Sequence, residues 1–248
     1  MKMKHFLALT LSISFLASCH KNKNDDPKSK PVEFTSSTYA YLGSFDSLGR
    51  PNYLAAPSDV ISANLLSFIN TNLPDAVDLR KRNPDLLSAK SLKLDISQKS
   101  DVYITFVSEG TAYRDAIAFY TYPTGTPPLT VNDIKVITYV FPDAGKGTTL
   151  RPGDKVKIGN FNAGTSIGFI LMQNAWDPSS KTLNNSSVHF CSDDALNPEI
   201  DASLKKHVVF INYAAENKVL IGFEDTDRTT AICDHDFQDV VIYATVTQ

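Results

Sequence analysis

Residues 224–239 concentrate acidic side chains between two apolar runs of the sequence. Arg228 is the only Lys or Arg in this segment. Because neighbouring carboxylates repel and raise one another's pKa, a group this dense indicates that a positive charge neutralises it. The acids are Glu224, Asp225, Asp227, Asp234, Asp236 and Asp239.

The runs on either side of this acidic segment are predicted to be strands. Residues 218–224 and 239–246 are rich in β-branched and aromatic side chains, which favour strands. If the two strands pair as antiparallel neighbours, Glu224 and Asp239 lie at the two ends of one connection. The acids between them then fold over a single end of a sheet.

A hard cation is the charge that suits such a loop. Ca²⁺ takes about six to eight oxygen ligands and tolerates irregular geometry. Asp234 and Asp236 can present carboxylates to one ion where the backbone is extended, and Asp239 can add a third from the strand start. A bound ion would remove the repulsion between the acids. The segment is not an EF-hand, because "DHDFQD" lacks the glycine at loop position six and the glutamate at position twelve.

Two other interpretations of the acidic segment remain open. One is a solvated acidic turn, in which Asp side chains accept hydrogen bonds from nearby backbone N–H groups and Arg228 neutralises part of the charge. The other is a hydrolase acting on glycans, which needs two carboxylates flanking a sugar cleft; Glu109 and Glu224 are candidates. "GTSIG" at residues 164–168 fits the nucleophile-elbow pattern around Ser166, but a strand follows it where that elbow needs a helix.

The rest of the chain predicts an all-β fold. The predicted strands are separated by clusters of Gly, Pro, Asn and Asp, an arrangement that favours an antiparallel, jelly-roll-like β-sandwich over a parallel α/β sheet. One helix is expected at residues 59–70, capped by Ser58. The predicted strands are residues 101–107, 131–141, 155–158, 167–173, 207–213, 218–224 and 239–246.

The first residues predict export and a lipid anchor. Residues 1–18 have a basic start, an apolar stretch and small residues, as a signal peptide does. The following Cys19 completes "LASC", which resembles a bacterial lipobox in which this cysteine is acylated. Residues 19–33 are polar and charged, which favours a flexible tether. Residues 34–100 then precede the predicted sandwich at 101–248, and the sequence leaves open whether they fold separately.

The charge of the chain bears on its binding partners, and its cysteine content bears on disulfide formation. The chain has 24 Lys and Arg against 27 Asp and Glu, and removing residues 1–18 takes away two lysines and no acid, which leaves a net charge of −5. Without a basic patch, nucleic acid is not an expected partner. Export exposes the chain to an oxidising compartment, so Cys191 and Cys233 either form a disulfide or are two separate buried thiols.

The acidic segment resembles the signature of a bacterial domain of unknown function, 4114. "IGFEDTDRTTAICDHDFQDVV" is similar to its apolar run, G-F-E-D, variable loop and D-x-D-F-N-D, with Gln238 where Asn is usual. "TFVSEGTAYRDAIAFYTYP", "GTSIGFILMQNAW" and "LNPE" are similar to LruC-type lipoproteins that carry this domain. The resemblance to the domain itself covers about residues 164–248.

The resemblance implies an exported or surface protein that occurs alongside calcium-binding or adhesion modules. By matching residues, it implies that the site consists of Glu224, Asp225, Asp234, Asp236 and Asp239. We therefore expect a lipoprotein of the bacterial envelope, anchored at the outer membrane, whose sandwich binds Ca²⁺ and acts in adhesion or in binding a protein or glycan ligand. A glycan hydrolase that uses the same carboxylates is the alternative.

Overall fold

The computed structural model describes residues 27–30, 32–88 and 93–248. The predicted signal peptide, Cys19 and the first part of the predicted tether lie outside the described residues. Within the described part of the chain, no helix has the length and apolar character needed to cross a membrane.

Two sheets form the body of the fold. The first sheet has the order β1-β5-β4-β7-β10, with β2 also pairing with β7, and the second has the order β11-β12-β13-β3-β6. A two-stranded ribbon joins β8 to β9. The strands are β1 (Thr38–Tyr41), β2 (Leu94–Ile96), β3 (Ser100–Glu109), β4 (Ala116–Pro123), β5 (Val136–Phe141), β6 (Lys155–Phe161), β7 (Thr165–Met172), β8 (Trp176–Asp177), β9 (Thr182–Leu183), β10 (His189–Cys191), β11 (Val208–Tyr213), β12 (Lys218–Phe223) and β13 (Val240–Thr247).

The two sheets pack face to face, which confirms the predicted all-β sandwich. Rings from opposite sheets meet between them: Phe106 lies 6.2 Å from Phe141, and Phe169 lies 6.2 Å from Phe210, between ring centroids. The described strands pair antiparallel except for β1 and β5, which run parallel. Residues 131–135, predicted as part of a strand, form instead a short 3₁₀ turn (Val131–Asp133) before β5.

Helices cover the outer face of the second sheet. α1 (Ala63–Asn72) is followed by two short helices, α2 (Leu79–Arg82) and α3 (Pro84–Ser88). α1 starts later than expected from the sequence, because the hydroxyl of Ser62 and not that of Ser58 caps it by accepting from the Leu65 N–H at 3.0 Å. Leu65 and Ile69 of this helix pack in one buried cluster with Leu220, Val241 and Tyr243 of the second sheet.

Residues before position 101 take part in both layers. β1 and β2 are strands of the first sheet, and α1 packs on the second. The last residues of the predicted tether also contact the body of the fold: the Lys30 N–H donates to Pro198 O at 2.8 Å, and the Ile200 N–H donates to Lys28 O at 3.0 Å. This docks residues 28–30 against the segment that precedes β11.

Candidate functional site

Strands β12 and β13 hold the two ends of the acidic segment together. They pair antiparallel, with Phe223 opposite Val240, which confirms the pairing expected from the sequence. The Asp239 N–H donates to Phe223 O at 3.2 Å, and the Asp225 N–H donates to the Asp239 Oδ2 at 2.8 Å. The first and last acids are therefore fixed at one edge of the second sheet.

The return half of the segment folds back onto the sheet through two left-handed residues. His235 and Phe237 have φ values of 62° and 60°, and Asp236 lies between them. Phe237 is fully buried in the cluster beneath α1. Gly222 permits this approach, because a Cβ at position 222 would lie 2.5 Å from Phe237 O. Burial of Phe237 thus brings its neighbour Asp236 towards the strand ends.

The folded segment brings the predicted acids into two groups that share Glu224. Glu224, Asp234 and Asp236 offer one ligand atom each within 4.8 Å of one another, and so do Glu224, Asp225 and Asp239. The five acids predicted as metal ligands therefore meet at one place, with Glu224 at the centre. Asp227 is in neither group; its side chain accepts from the Thr229 N–H at 2.8 Å, as in an Asx turn.

Glu224 lies in an environment that does not suit a free carboxylate. It is 1% exposed, and its Oε2 receives no hydrogen bond within the described part of the chain. Burial, with the nearby charge of Asp234, raises the pKa of Glu224 well above its ordinary value. The other oxygen, Oε1, accepts from the Thr226 N–H at 3.4 Å. A buried carboxylate oxygen without a donor is costly, so this position favours either a proton or a cation on Oε2.

The neighbouring acids are partly satisfied by hydrogen bonds. Asp236 accepts from the Ala76 and Gln238 N–H groups at 2.7 and 2.8 Å, yet burial still raises its pKa to about 6. Burial, and then the charge of Asp225, raises the pKa of Asp239 well above its usual range. Asp234 is the exposed member of the group, and partial desolvation of its carboxyl group also raises its pKa. Desolvation and mutual repulsion therefore act together on these acids.

Arg228 does not neutralise the acids by direct contact. It forms no ion pair among the described residues. Its Nη1 donates to Lys206 O at 2.9 Å and its Nε to the His235 Nδ1 at 3.2 Å. Its guanidinium lies 5.1 Å from the centre of the Phe237 ring. Arg228 therefore acts on Glu224 through space and not through an ion pair, and Asx-type contacts of the solvated-turn interpretation are present.

A third group joins Glu224 to Cys233 and His235, again within 4.8 Å. Sulfur, nitrogen and carboxylate ligands together are typical of Zn²⁺. Here the Arg228 Nε donates to the His235 Nδ1, and that nitrogen also lies 3.2 Å from the Cys233 Sγ. A guanidinium at this distance opposes a second cation, so the all-oxygen groups are the better cation site. His235 itself is buried, at 3% exposed.

Two residues outside the acidic segment extend the site. Thr111 donates its hydroxyl to the Asp225 Oδ2 in a short hydrogen bond. Asp115 is fully buried, its Oδ2 has no partner among the described residues, and burial followed by the charge of Asp225 raises its pKa well above its ordinary value. Sequence spacing does not predict Asp115, because it comes from the start of β4 in the opposite sheet; an acid directly before an apolar strand is only a weak indication.

A buried contact between His207 and Glu199 lies next to the backbone of Glu224. His207 and Glu199 are both fully buried as side chains, with Nε2 and Oε1 2.7 Å apart. The His207 ring stacks on Phe190 at 3.9 Å, and its Nδ1 lies 2.9 Å from Glu224 O. Because a carbonyl oxygen only accepts, Nδ1 carries the proton in this contact. Glu199 belongs to the "LNPE" stretch, so this motif has a positional role next to the site.

Other residues singled out in the sequence lie elsewhere. Ser166 is a buried strand residue whose hydroxyl donates to the Asp95 Oδ1 at 2.5 Å, which leaves no nucleophile elbow. Glu109 ends β3, and burial raises its pKa. Cys191 and Cys233 are both free buried thiols; the first packs on the outer face of the first sheet and the second lies in the acidic segment.

Part of the chain matches a known protein family. Residues 161–247 match the domain of unknown function DUF4114. The DUF4114 segment contains β7–β13 together with the whole acidic segment, so the location expected from the sequence is confirmed. No curated protein and no solved structure matches the chain.

Proposed function

We propose that this chain is a lipoprotein of the LruC type, anchored through Cys19 at the outer membrane, whose acidic segment binds Ca²⁺. The bound ion orders the segment, and the rigid face formed in this way serves adhesion or the binding of a protein or glycan ligand at the envelope. The lipobox-like "LASC" and the polar residues after it support the anchor. The net charge after signal removal argues against nucleic acid as the ligand.

The buried Glu224 Oε2 carries the proposal. It has no hydrogen-bond donor within the described residues, and Glu224 belongs to both carboxylate groups. A divalent ion placed among these oxygens offsets the desolvation and the mutual repulsion of the acids at once. The carboxylates and carbonyls of an irregular loop are the ligands that Ca²⁺ accepts.

Ca²⁺ also has a mechanical role at this position. Asp225 and Asp239 come from the two strand ends, while Asp234 and Asp236 come from the return half of the segment. An ion held by members of both sets cross-links parts of the loop that are distant in sequence. Ordering the loop in this way lowers the conformational entropy lost when a ligand binds to it.

Calorimetric titration of Ca²⁺ into the full chain tests the proposal. Asp234→Asn removes a charge from an exposed member of the first group, and we expect affinity to fall about tenfold or more, since Ca²⁺ affinity follows ligand charge. Asp227→Asn is the matched control: it removes one charge from the same loop, keeps an oxygen for the Thr229 N–H and belongs to neither group. Equal Ca²⁺ affinities for the two variants would contradict the proposal that these acids bind the ion.

A glycan hydrolase is the second candidate, and the raised pKa of Glu224 is the observation that favours it. A carboxyl group kept protonated near neutral pH can act as a general acid beside ionised neighbours. A hydrolase releases products from a panel of surface glycans and loses this activity in Glu224→Gln. A binding module yields no products from the same panel, with or without Ca²⁺.

A further inference from the structure

A cavity of about 700 Å³ opens beside the acidic segment. Its walls come from residues 27–28, from Arg80 of α2, from residues 200–204 and from residues 228–235. Cys233 and His235 form part of its lining and belong to the third group around Glu224. The cavity therefore adjoins the proposed ion site, and its size lies in the range that holds a small ligand.

Positive charge dominates the lining. Lys28, Arg80 and Arg228 line the cavity, against Asp201 as the only carboxylate among its lining residues. Arg80 is partly compensated, because its Nε and Nη2 each donate to Asp78 at 2.9 Å. Asp201 uses its Oδ1 to accept from the N–H and hydroxyl of Ser203 at 2.9 and 2.8 Å. The balance leaves the cavity cationic although the whole chain is acidic.

Arg228 is the group whose donors are incompletely used. It is 2% exposed, and its Nη2 donates to no acceptor within the described residues. The two hydrogen bonds that its guanidinium does donate go to neutral atoms, the Lys206 carbonyl oxygen and the His235 ring nitrogen; the carboxylate of Glu199 accepts from its backbone N–H instead. A buried guanidinium that lacks an anionic partner is costly, and it binds carboxylate or phosphate oxygens through two parallel N–H groups.

The uncharged lining suits a sugar ring. Ile200, Leu204 and Ala231 supply apolar surface, and Ile200 is 53% exposed. Thr229 and Thr230 donate their hydroxyl protons to Asp227, at 2.7 Å each, and their oxygens remain able to accept from ligand hydroxyl groups. Apolar patches beside acceptors and a buried cation complement a ring that carries both hydroxyl groups and a carboxylate.

We propose that this cavity binds a carboxylate-bearing sugar, with the carboxylate on Arg228. The proposal deepens the ligand-binding half of the proposed function and rests on it, but it does not require Ca²⁺. A free phosphate or a phosphorylated ligand shares the chemistry that Arg228 recognises, and the test below separates the two.

Titration of glucuronate, glucose and inorganic phosphate into the full chain, purified in detergent, tests the assignment. We expect one site for glucuronate and binding of neutral glucose at least about tenfold weaker, since a charge-assisted hydrogen bond is worth that factor or more. Arg228→Gln should weaken glucuronate binding by a similar factor. Ala231→Trp fills the cavity without altering its charge and should do the same, so the test does not depend on Arg228→Gln folding.

Arg151→Gln is the matched control, because it removes one exposed Arg that does not line this cavity. It should bind glucuronate like the unmodified chain. Equal binding of glucose and glucuronate, unchanged binding in both cavity variants, or binding of phosphate without glucuronate would each overturn the proposal.

Repeating the titration with Ca²⁺ and with chelator separates this inference from the proposed function. Glucuronate binding in a chain that shows no Ca²⁺ binding would overturn the ion site alone. Ca²⁺ binding in a chain that shows no glucuronate binding would overturn the cavity assignment alone.

Discussion

At the scale of single residues, the site is a set of carboxylates of which most are buried or partly buried. Hydrogen bonds satisfy Asp236 on both oxygens, whereas the Glu224 Oε2 has no donor in the described part of the chain. Burial raises the pKa of both side chains above their ordinary values. The folded protein therefore holds protons on these acids more tightly than the unfolded chain does.

Because these pKa values are raised in the fold, the stability of the protein falls as the pH rises through them. Asp236 titrates at 3.8 in the absence of shifts and at about 6 in the fold. Its contribution to the free energy of unfolding is full below pH 3.8 and is lost as the pH rises to about 6, a loss on the order of 3 kcal/mol. Glu224 and Asp239 extend the loss to higher pH, because their pKa values are raised as well.

Chemical denaturation in chelator at several pH values checks this prediction. The Asp236→Asn variant lacks the titration, so the stability of the unmodified chain should fall relative to the variant across this window. His235 contributes with the opposite sign, because burial lowers its pKa to about 4. Its contribution is common to both proteins, so it cancels in the difference between their stabilities. Saturating Ca²⁺ should suppress the loss, because the ion replaces the protons. Parallel pH profiles in chelator would contradict the prediction.

At the scale of elements, α1 positions the acidic segment from outside the sheet. Phe237 is buried in the same cluster as Leu65, Ile69 and Leu73. Because Asp236 precedes Phe237 directly, the packing of this ring decides where the return half of the segment lies. The backbone also meets the region after the helix through the Leu79 N–H, which donates to His235 O at 3.0 Å.

Two neighbouring leucines of α1 test this role. Leu65→Ala should lower the free energy of unfolding by about 2–5 kcal/mol, because Leu65 is fully buried and the change leaves a cavity. Leu66→Ala makes the same chemical change at a residue that is 43% exposed, and should cost under about 0.5 kcal/mol. Urea denaturation measures both values. Similar costs for the two variants would mean that α1 does not pack on the sheet as described.

At the scale of the whole molecule, the DUF4114 segment is completed by strands from earlier in the chain. β13 pairs with β12 on one side and with β3 on the other, and β7 pairs with both β4 and β2. β2, β3 and β4 all precede residue 161, where the matched segment begins. The site therefore depends on parts of the chain that the family match does not include.

A truncated chain tests this dependence. A fragment of residues 101–248 lacks β1, β2 and α1, which leaves the outer face of the second sheet uncovered and removes a partner of β7. We expect the fragment to aggregate or to melt without a cooperative transition, because exposed apolar faces and unpaired strand edges favour association. A cooperative melt with the Ca²⁺ affinity of the full chain would contradict this expectation.

The sequence by itself determined much of the architecture around the acids. Alternating β-branched residues predicted β12 and β13, and the turn-rich gaps predicted a sandwich. Both follow from local physics, since side-chain periodicity and turn chemistry depend on residues close together in the chain. The five acids could be selected as candidates for the same reason, because they lie within one short segment.

Only the tertiary structure decided how those acids are arranged and what surrounds them. Thr111 and Asp115 reach Asp225 from the connection between β3 and β4, which links the two sheets. Arg80 and Arg228 line one cavity built from four separate segments. His235 is buried, and its backbone carbonyl accepts from the N–H of Leu79, a residue of α2 that is far from it in sequence. Long-range packing sets these distances and desolvates these charges, and no local pattern carries that information.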